Sequence, residues 1–354
     1  MRTLLNGGET TIAELARSTK LSRQTTTQVV DDLVASGFVE ILQAGPPGGM
    51  GRPAQRVVLK TSAGNVLGVD VGAHKILVLV GDLFGNIVSK ARRTVTPADL
   101  PADRLSVTND CITEALARCP GGQPRITQAG VATVGSVEPD GNVIYCKAIR
   151  DWEGQNPARA VSEAFGFPAY GFTDMNMSVL AEHWRGAARD ATNVVYLHAG
   201  RRLGMALLVG GVPLRGHHSA AGQIGIWRQL SWKEDYEDLM NPVGGAEAVF
   251  AAAAAGDLGA KARIASFVAD MCQGVAPVVV AFDPELLVLG GGISAAGNQI
   301  AEPLRTGMQV ETEFAPNVVC STLGDEAVAL GALREALDRA KSGIFDELAM
   351  PSVG

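Results

Sequence analysis

Paired cysteines are missing from this chain. The five it has, at 111, 119, 146, 272 and 320, are scattered and none forms a C-x-x-C pair. That argues against a disulfide framework and a zinc ribbon. They read instead as small buried side chains in a reducing compartment. Long apolar runs are missing too: none reaches the ~18 residues of a membrane helix. The best stretch, 275–289, is broken by Pro277, Asp283, Pro284 and Glu285. The opening residues, Met-Arg-Thr-Leu-Leu-Asn-Gly-Gly, hold no apolar stretch long enough for a signal peptide. The expectation is a cytoplasmic protein with no membrane partner. An excess of basic charge is also absent, since net charge is −7. The deficit is uneven, however. Residues 1–62 carry seven Lys/Arg and five Asp/Glu, a net +2 that leaves −9 on the remainder. A basic module on an acidic body suits nucleic-acid binding.

What is present begins with helix signals. Thr10 or Thr11 caps a short helix whose inner face is Ile12, Leu15 and Ala16. Ser22 is a good N-cap for a second helix that buries Thr26, Val29, Val30 and Leu33, with Gly37 just past its end. Two short helices joined by a tight turn, with Leu21 plugging the corner, form a helix-turn-helix. Arg23, Gln24, Thr25, Thr27 and Gln28 then lie on the exposed early turns of the second helix, where a recognition helix meets base edges and phosphates. Segments 38–42 and 55–59 read as two strands flanking Gly45-Pro-Pro-Gly-Gly-Met-Gly-Arg-Pro53. This is a wing, and Arg52 at its tip is placed to enter a narrow minor groove. Only Arg2 to Asn6 are left to build the supporting helix with which a winged helix opens, so the true start is expected upstream.

Beyond Lys60 strands and helices alternate, the pattern of an α/β architecture. Strands are expected at 66–71, 76–83 and 86–95, a helix at 103–119, a strand at 128–134, a helix at 156–165, a strand at 169–173 and a helix at 175–186. The order then recurs, with strands near 194–197, 204–209 and 212–215, helices at 246–255 and 262–280, and a strand at 285–289. A strand meander followed by alternating helices and strands, present twice, resembles the two-lobed actin-like ATPase (ribonuclease H-like) fold.

Particular residues sharpen that likeness. Gly68-Val-Asp-Val-Gly72 stands at the first phosphate loop, with Asp70 and Gly72. Thr173-Asp-Met-Asn176 opens a helix where sugar kinases of this type carry a catalytic aspartate. Arg215-Gly-His-His-Ser-Ala-Ala-Gly-Gln-Ile-Gly225 resembles the signature segment of the ROK family (repressors, open reading frames and kinases). Val288-Leu-Gly-Gly-Gly-Ile-Ser294, with Gly290 and Gly291, resembles its adenosine-side loop, and 323–337 its closing helix. ROK repressors also carry an N-terminal helix-turn-helix, a wing and a Gly-Arg-Pro tip. The resemblance spans about Thr11 to Arg339. It implies residues 1–62 as a DNA-binding domain and 63–174 as a first lobe. It implies 175–341 as a second lobe whose last helix returns to the first, and 342–354 as a tail.

The same resemblance marks departures from a working kinase. Gly72-Ala-His-Lys75 replaces the usual Gly-Gly-Thr-Lys. Gly200-Arg-Arg-Leu-Gly204 replaces Gly-Thr-Gly-Ile-Gly, placing Arg202 where glycine lets backbone approach phosphate. That arginine either occludes the loop or makes a new anion site; occlusion is the expectation. Aligned on Trp152, the sugar-binding asparagine becomes Ile149, the signature glutamate Gln223 and the next histidine Ile226. No cysteine or histidine lies between Ile226 and Ala260, so the family's structural zinc is expected to be absent. His217 and His218 are adjacent and expected on the surface or in the core. Asp174, Asn176 and Gln223 remain as a candidate effector pocket. The expected protein is a DNA-binding regulator, dimeric or larger. It has no kinase activity, metal or cofactor, and a sugar or sugar derivative is its candidate effector. The rival readings are a sugar kinase that also binds DNA, and a ligand-free dimerisation body.

Overall fold

The computed structural model describes residues 9–35, 37, 39–42, 55–60, 64–200, 203–226 and 245–349. The chain opens with β1 (Thr10–Thr11) and α1 (Ile12–Thr19). Thr11 and Glu14 form a capping box: the Thr11 side chain accepts the Glu14 N–H while Glu14 accepts the Thr11 N–H. In α2 (Arg23–Ala35) the Ser22 hydroxyl accepts the Thr25 N–H at 3.1 Å. The chain leaves that helix through Gly37 at φ 78°, whose N–H donates to the Val34 carbonyl. Thr26, Val30 and Leu33 are buried, packing near Leu15, Val39 and Val57. Two expectations fail. Val29 is 43% exposed because it lies at the margin of the stripe set by 26, 30 and 33, and Leu21 faces solvent at 46%.

Strands β2 (Val39–Leu42) and β3 (Arg56–Leu59) pair antiparallel from Val39↔Leu59 to Leu42↔Arg56. β1 joins the far edge of β3. This three-stranded sheet, behind two helices, is the frame of a winged helix. The wing tip with Arg52 lies outside the described residues.

The body repeats one wiring. β4 (Asn65–Val71), β5 (Lys75–Asp82) and β6 (Ile87–Thr94) form a meander. After α3 (Pro101–Ala117), β7 (Ile126–Thr133) pairs parallel to β4. The short hairpin β8 (Ser136–Val137) and β9 (Val143–Tyr145), then α4 (Pro157–Phe165), lead to β10 (Ala169–Thr173), parallel to β7. The sheet order is β10-β7-β4-β5-β6. Past α5 (Asp174–Arg185) come β11 (Val194–Ala199), β12 (Leu203–Val209), β13 (Val212–Pro213), α6 (Gly245–Ala254) and α7 (Leu258–Phe282). Then follow β14 (Leu286–Gly290), α8 (Asn298–Glu311), β15 (Asn317–Cys320) and α9 (Ala327–Ala349). The second order is β13-β12-β11-β14-β15. Two five-stranded sheets, each a meander continued by parallel strands, make the actin-like fold.

Helix α9 returns across the first sheet, with the Ala329 carbonyl over Gly68 and the Ala332 carbonyl over Gly130. It runs on through Ala349 where a tail was expected from 342. Helix α7 is long and apolar enough to cross a membrane by composition. Its Ile264, Phe267, Met271, Val275 and Val279 are instead buried in the second lobe's core with Leu197, Leu287 and Leu304.

Candidate functional site

Helix α2 presents an unpacked polar face. Arg23, Gln24, Thr25 and Gln28 are exposed and Thr27 half-buried. The Thr27 hydroxyl donates to the Arg23 carbonyl at 2.9 Å, and Gln28 Nε2 donates to Asp32 Oδ1 at 3.2 Å. Thr25 Oγ1 lies 2.8 Å from Ser22 Oγ. Among the described residues, no hydrogen bond or ion pair engages the Arg23 or Gln24 side chain.

The cleft between the lobes is built from strand ends. β4 delivers Asp70, and the chain turns at once, the Gly72 N–H donating to the Lys75 carbonyl at 2.9 Å. Lys75 Nζ stands 3.2 Å from Asp70 Oδ2 and also donates to the Asp325 carbonyl. Burial pushes the Asp70 carboxyl up while Lys75 opposes the shift. Asp174 sits in the first turn of α5, its Oδ1 accepting the Met175 N–H at 2.8 Å. Burial, and then the charge of Asp70, push it up to about 8.

The second loop meets these groups from β11. His198 lies opposite Gly204 on β12 and Gly290 on β14. A Cβ on Gly200 would stand 2.7 Å from its Nε2, so the ring lies over the start of the loop. Burial, with Lys75 adding to it, pushes His198 down to about 4, and its Nδ1 is buried with no hydrogen-bond partner among the described residues. Sequence reasoning missed this residue, although a histidine ending an apolar strand just before Gly200 is the available signal. Gly291, at φ 82°, lies so close to Ala199 that a Cβ there would come within 2.5 Å of its carbonyl oxygen. The Sδ of Met175 stands 2.8 Å from the corresponding Cβ position at Gly204. Asp70, Asp174, Gly200, Gly204, Gly290 and Gly291 are thus brought to one region. Arg202 lies outside the described residues.

On the side where the resemblance places the sugar, Ile149 and Trp152 are buried in the first lobe's core. Trp152 Nε1 donates to Thr133 Oγ1 at 2.9 Å, and Thr133 donates to the Val71 carbonyl at 2.8 Å. Arg104, also missed in sequence, is fully buried. It donates to the carbonyls of Gly72 and Thr96, with its guanidinium 5.7 Å from the Trp152 ring centroid. The first phosphate loop is therefore pinned from behind by Arg104. Asn176 and Asp174, two residues apart on one helix, point about 200° apart around its axis. Asn176 lines a cavity of about 50 Å³ whose walls include neither Asp174 nor Gln223. Among the described residues no three or more His, Cys, Asp or Glu side chains are grouped to hold a metal ion. His217 and His218 are exposed, ring edge to face at 4.5 Å.

Comparison with known proteins agrees with this geometry. A family model described as the ROK family matches residues 66–229 and 234–339, and one described as the MarR family matches residues 2–48. The xylose repressor of Caldicellulosiruptor bescii is 21% identical, covering 94% of this chain and 93% of its own length. That of Bacillus subtilis is 20% identical, covering 96% and 94%. A solved ROK family transcriptional regulator, described as a homologue of the E. coli MLC protein, aligns with a TM-score of 0.74. It is 18% identical and covers 96% of this chain and 95% of its own. A ROK family glucokinase from Streptomyces griseus, solved with glucose and AMPPNP, aligns at 0.65. It is 22% identical and covers 78% and 100%.

Proposed function

The chain belongs to the ROK family, and from that premise we propose that it is a transcriptional repressor without kinase activity. Residues 1–62 bind double-stranded DNA, the lobes at 63–174 and 175–341 bind an effector, and the working form is a cytoplasmic homodimer or larger oligomer. The observation that carries the reading is the capped helix α2, whose Arg23, Gln24, Thr25 and Gln28 face solvent on its first turns. Relatives named xylose repressors, alike over nearly the whole length, support it. Arg52 on the wing belongs to the same interface.

The cleft supports the absence of phosphoryl transfer. Asp174, raised by burial toward neutral pH, keeps the character of a general base, so the reading rests on the loops around it. The His198 ring covers the backbone that a phosphate would approach. The effector is a polar molecule, a sugar or sugar derivative, held near Asp174 and Gln223. With isoleucine at 149, a polyol hydroxyl there would lose a partner worth ~1–3 kcal/mol.

Fluorescence anisotropy on fragments of the parent genome tests the DNA reading. Arg23→Ala and Gln28→Ala should each lower affinity by ~1–3 kcal/mol and relax sequence preference; unchanged binding in both sinks the recognition-helix assignment. A coupled ADP-release assay over a sugar panel should show no turnover above background. Turnover that disappears in Asp174→Asn would establish a kinase instead.

A further inference from the structure

A second cavity lies outside the cleft. The cavity that Asn176 lines sits where the edge strands of the two sheets come together. Phe172 and Thr173 of β10 form one wall, Val212 and Pro213 of β13 another, and Arg215 and Glu335 of α9 complete it. None of Asp70, Asp174, His198 or Gln223 is among its walls.

Three features of this cavity point to an occupant. Asn176 is only 7% exposed and lines the cavity. An amide on the wall of a cavity can both donate to and accept from an occupant. Arg215 approaches the Phe172 ring at 5.7 Å and has no carboxylate partner among the described residues. The nearby Glu335 is already matched by Arg339, 3.6 Å away, whose guanidinium also lies 5.6 Å from the Phe172 centroid. Among the described residues Arg215 is thus the cavity's one cation without a carboxylate partner. Its volume is about 50 Å³. One water needs ~10–15 Å³ on this measure, so about three or four water-sized atoms fit.

We propose that this cavity binds the oxyanion head, carboxylate or phosphoryl, of a small metabolite, with Arg215 supplying the charge-assisted donor and Asn176 the orienting amide. A guanidinium on an aromatic face keeps its in-plane N–H groups free for such a head. Because the walls come from both sheets and from α9, the occupant bridges the lobes and favours one angle between them.

Calorimetric titration of the full chain tests this. Gluconate and lactate probe the carboxylate arm, glucose 6-phosphate and inorganic phosphate the phosphoryl arm, and glucose serves as the uncharged control. One oxyanion arm should saturate at millimolar concentration or below, and the arm that does so identifies the head group. Arg215→Gln and Asn176→Leu should each weaken that binding at least about tenfold and leave any response to glucose unchanged. Arg215 is only partly buried, so Arg215→Gln remains decisive should Asn176→Leu fail to fold. Absence of saturation by all four anions overturns the proposal, as does undiminished affinity in Arg215→Gln. A loss confined to Asp174→Asn would move the site back to the cleft and overturn it equally.

Discussion

Asp174 and His198 are buried at the same cleft, and burial moves them in opposite directions because one is charged when it loses a proton and the other when it gains one. Asp174 is raised to about 8 from 3.8. The native state then binds more protons than the unfolded chain between those values, so stability falls as pH rises through that window. His198 is lowered to about 4 from 6.5, so its contribution is lost as pH falls through that lower range. Between about pH 4 and 6.5 the two slopes offset each other; above 6.5 the Asp174 slope remains. Asp174→Asn mimics the protonated acid. It should raise stability at pH 8 by roughly 2–4 kcal/mol more than it does at pH 5, and flatten the decline between pH 6.5 and 8. Thermal melts across that range check this, and an Asp174→Asn protein with the parent's slope would show that Asp174 titrates normally.

At the scale of elements, the winged helix rests on short-range chemistry that the sequence displays openly. Thr11, Glu14, Ser22 and Gly37 act within three or four residues of themselves, so both helices and their ends were legible. Thr11→Ala removes one half of the capping box and should cost ~1 kcal/mol. In a small domain that loss should appear as weaker DNA binding with unaltered sequence preference, the reverse of the specificity loss expected at Arg23. If Thr11→Ala changed preference instead, Thr11 would have to touch DNA. What was not legible depends on contacts distant in sequence. Helix α8 carries Pro303 and Gly307, which break a helical pattern. Gly307 is required because the Cys272 sulfur of α7 lies 2.5 Å from where its Cβ would stand. Strands β8 and β9 span only two and three residues, and β15 four, too few for any alternation to register. His198 and Arg104 look like single polar residues in apolar surroundings, and only the folded chain brings them to Lys75 and Gly72. The separation of Asn176 from Asp174 follows from helical geometry, yet which side of α5 meets the cleft is settled by packing against α9. There the Met177 carbonyl lies over Gly331.

The whole molecule joins a weakly basic domain to a body of opposite sign. With net +2 on residues 1–62 and −9 on the rest, a single winged helix has little electrostatic hold on DNA, and the body adds repulsion within a Debye length. In the homodimer proposed above, operator affinity comes largely from two winged helices acting together, because the second contact is made at the high effective concentration set by the first. That arrangement needs half-sites on the same face of the duplex, separated by whole turns of about 10–10.5 base pairs. A DNA fragment bearing both half-sites should bind at least about a hundredfold more tightly than one half-site alone. Inserting about half a turn, roughly 5 base pairs, between the half-sites should remove most of that gain, and inserting a full turn should restore part of it. Affinity should also fall steeply with salt, with a log–log slope near −0.9 per phosphate neutralised, and the two-site fragment should show about twice the slope of the single site. Anisotropy titrations of the four fragments at two salt concentrations separate the cases. Equal affinity for one and two half-sites, or indifference to the half-turn insertion, would mean that one winged helix binds by itself and that the acidic body plays no part in reading the operator.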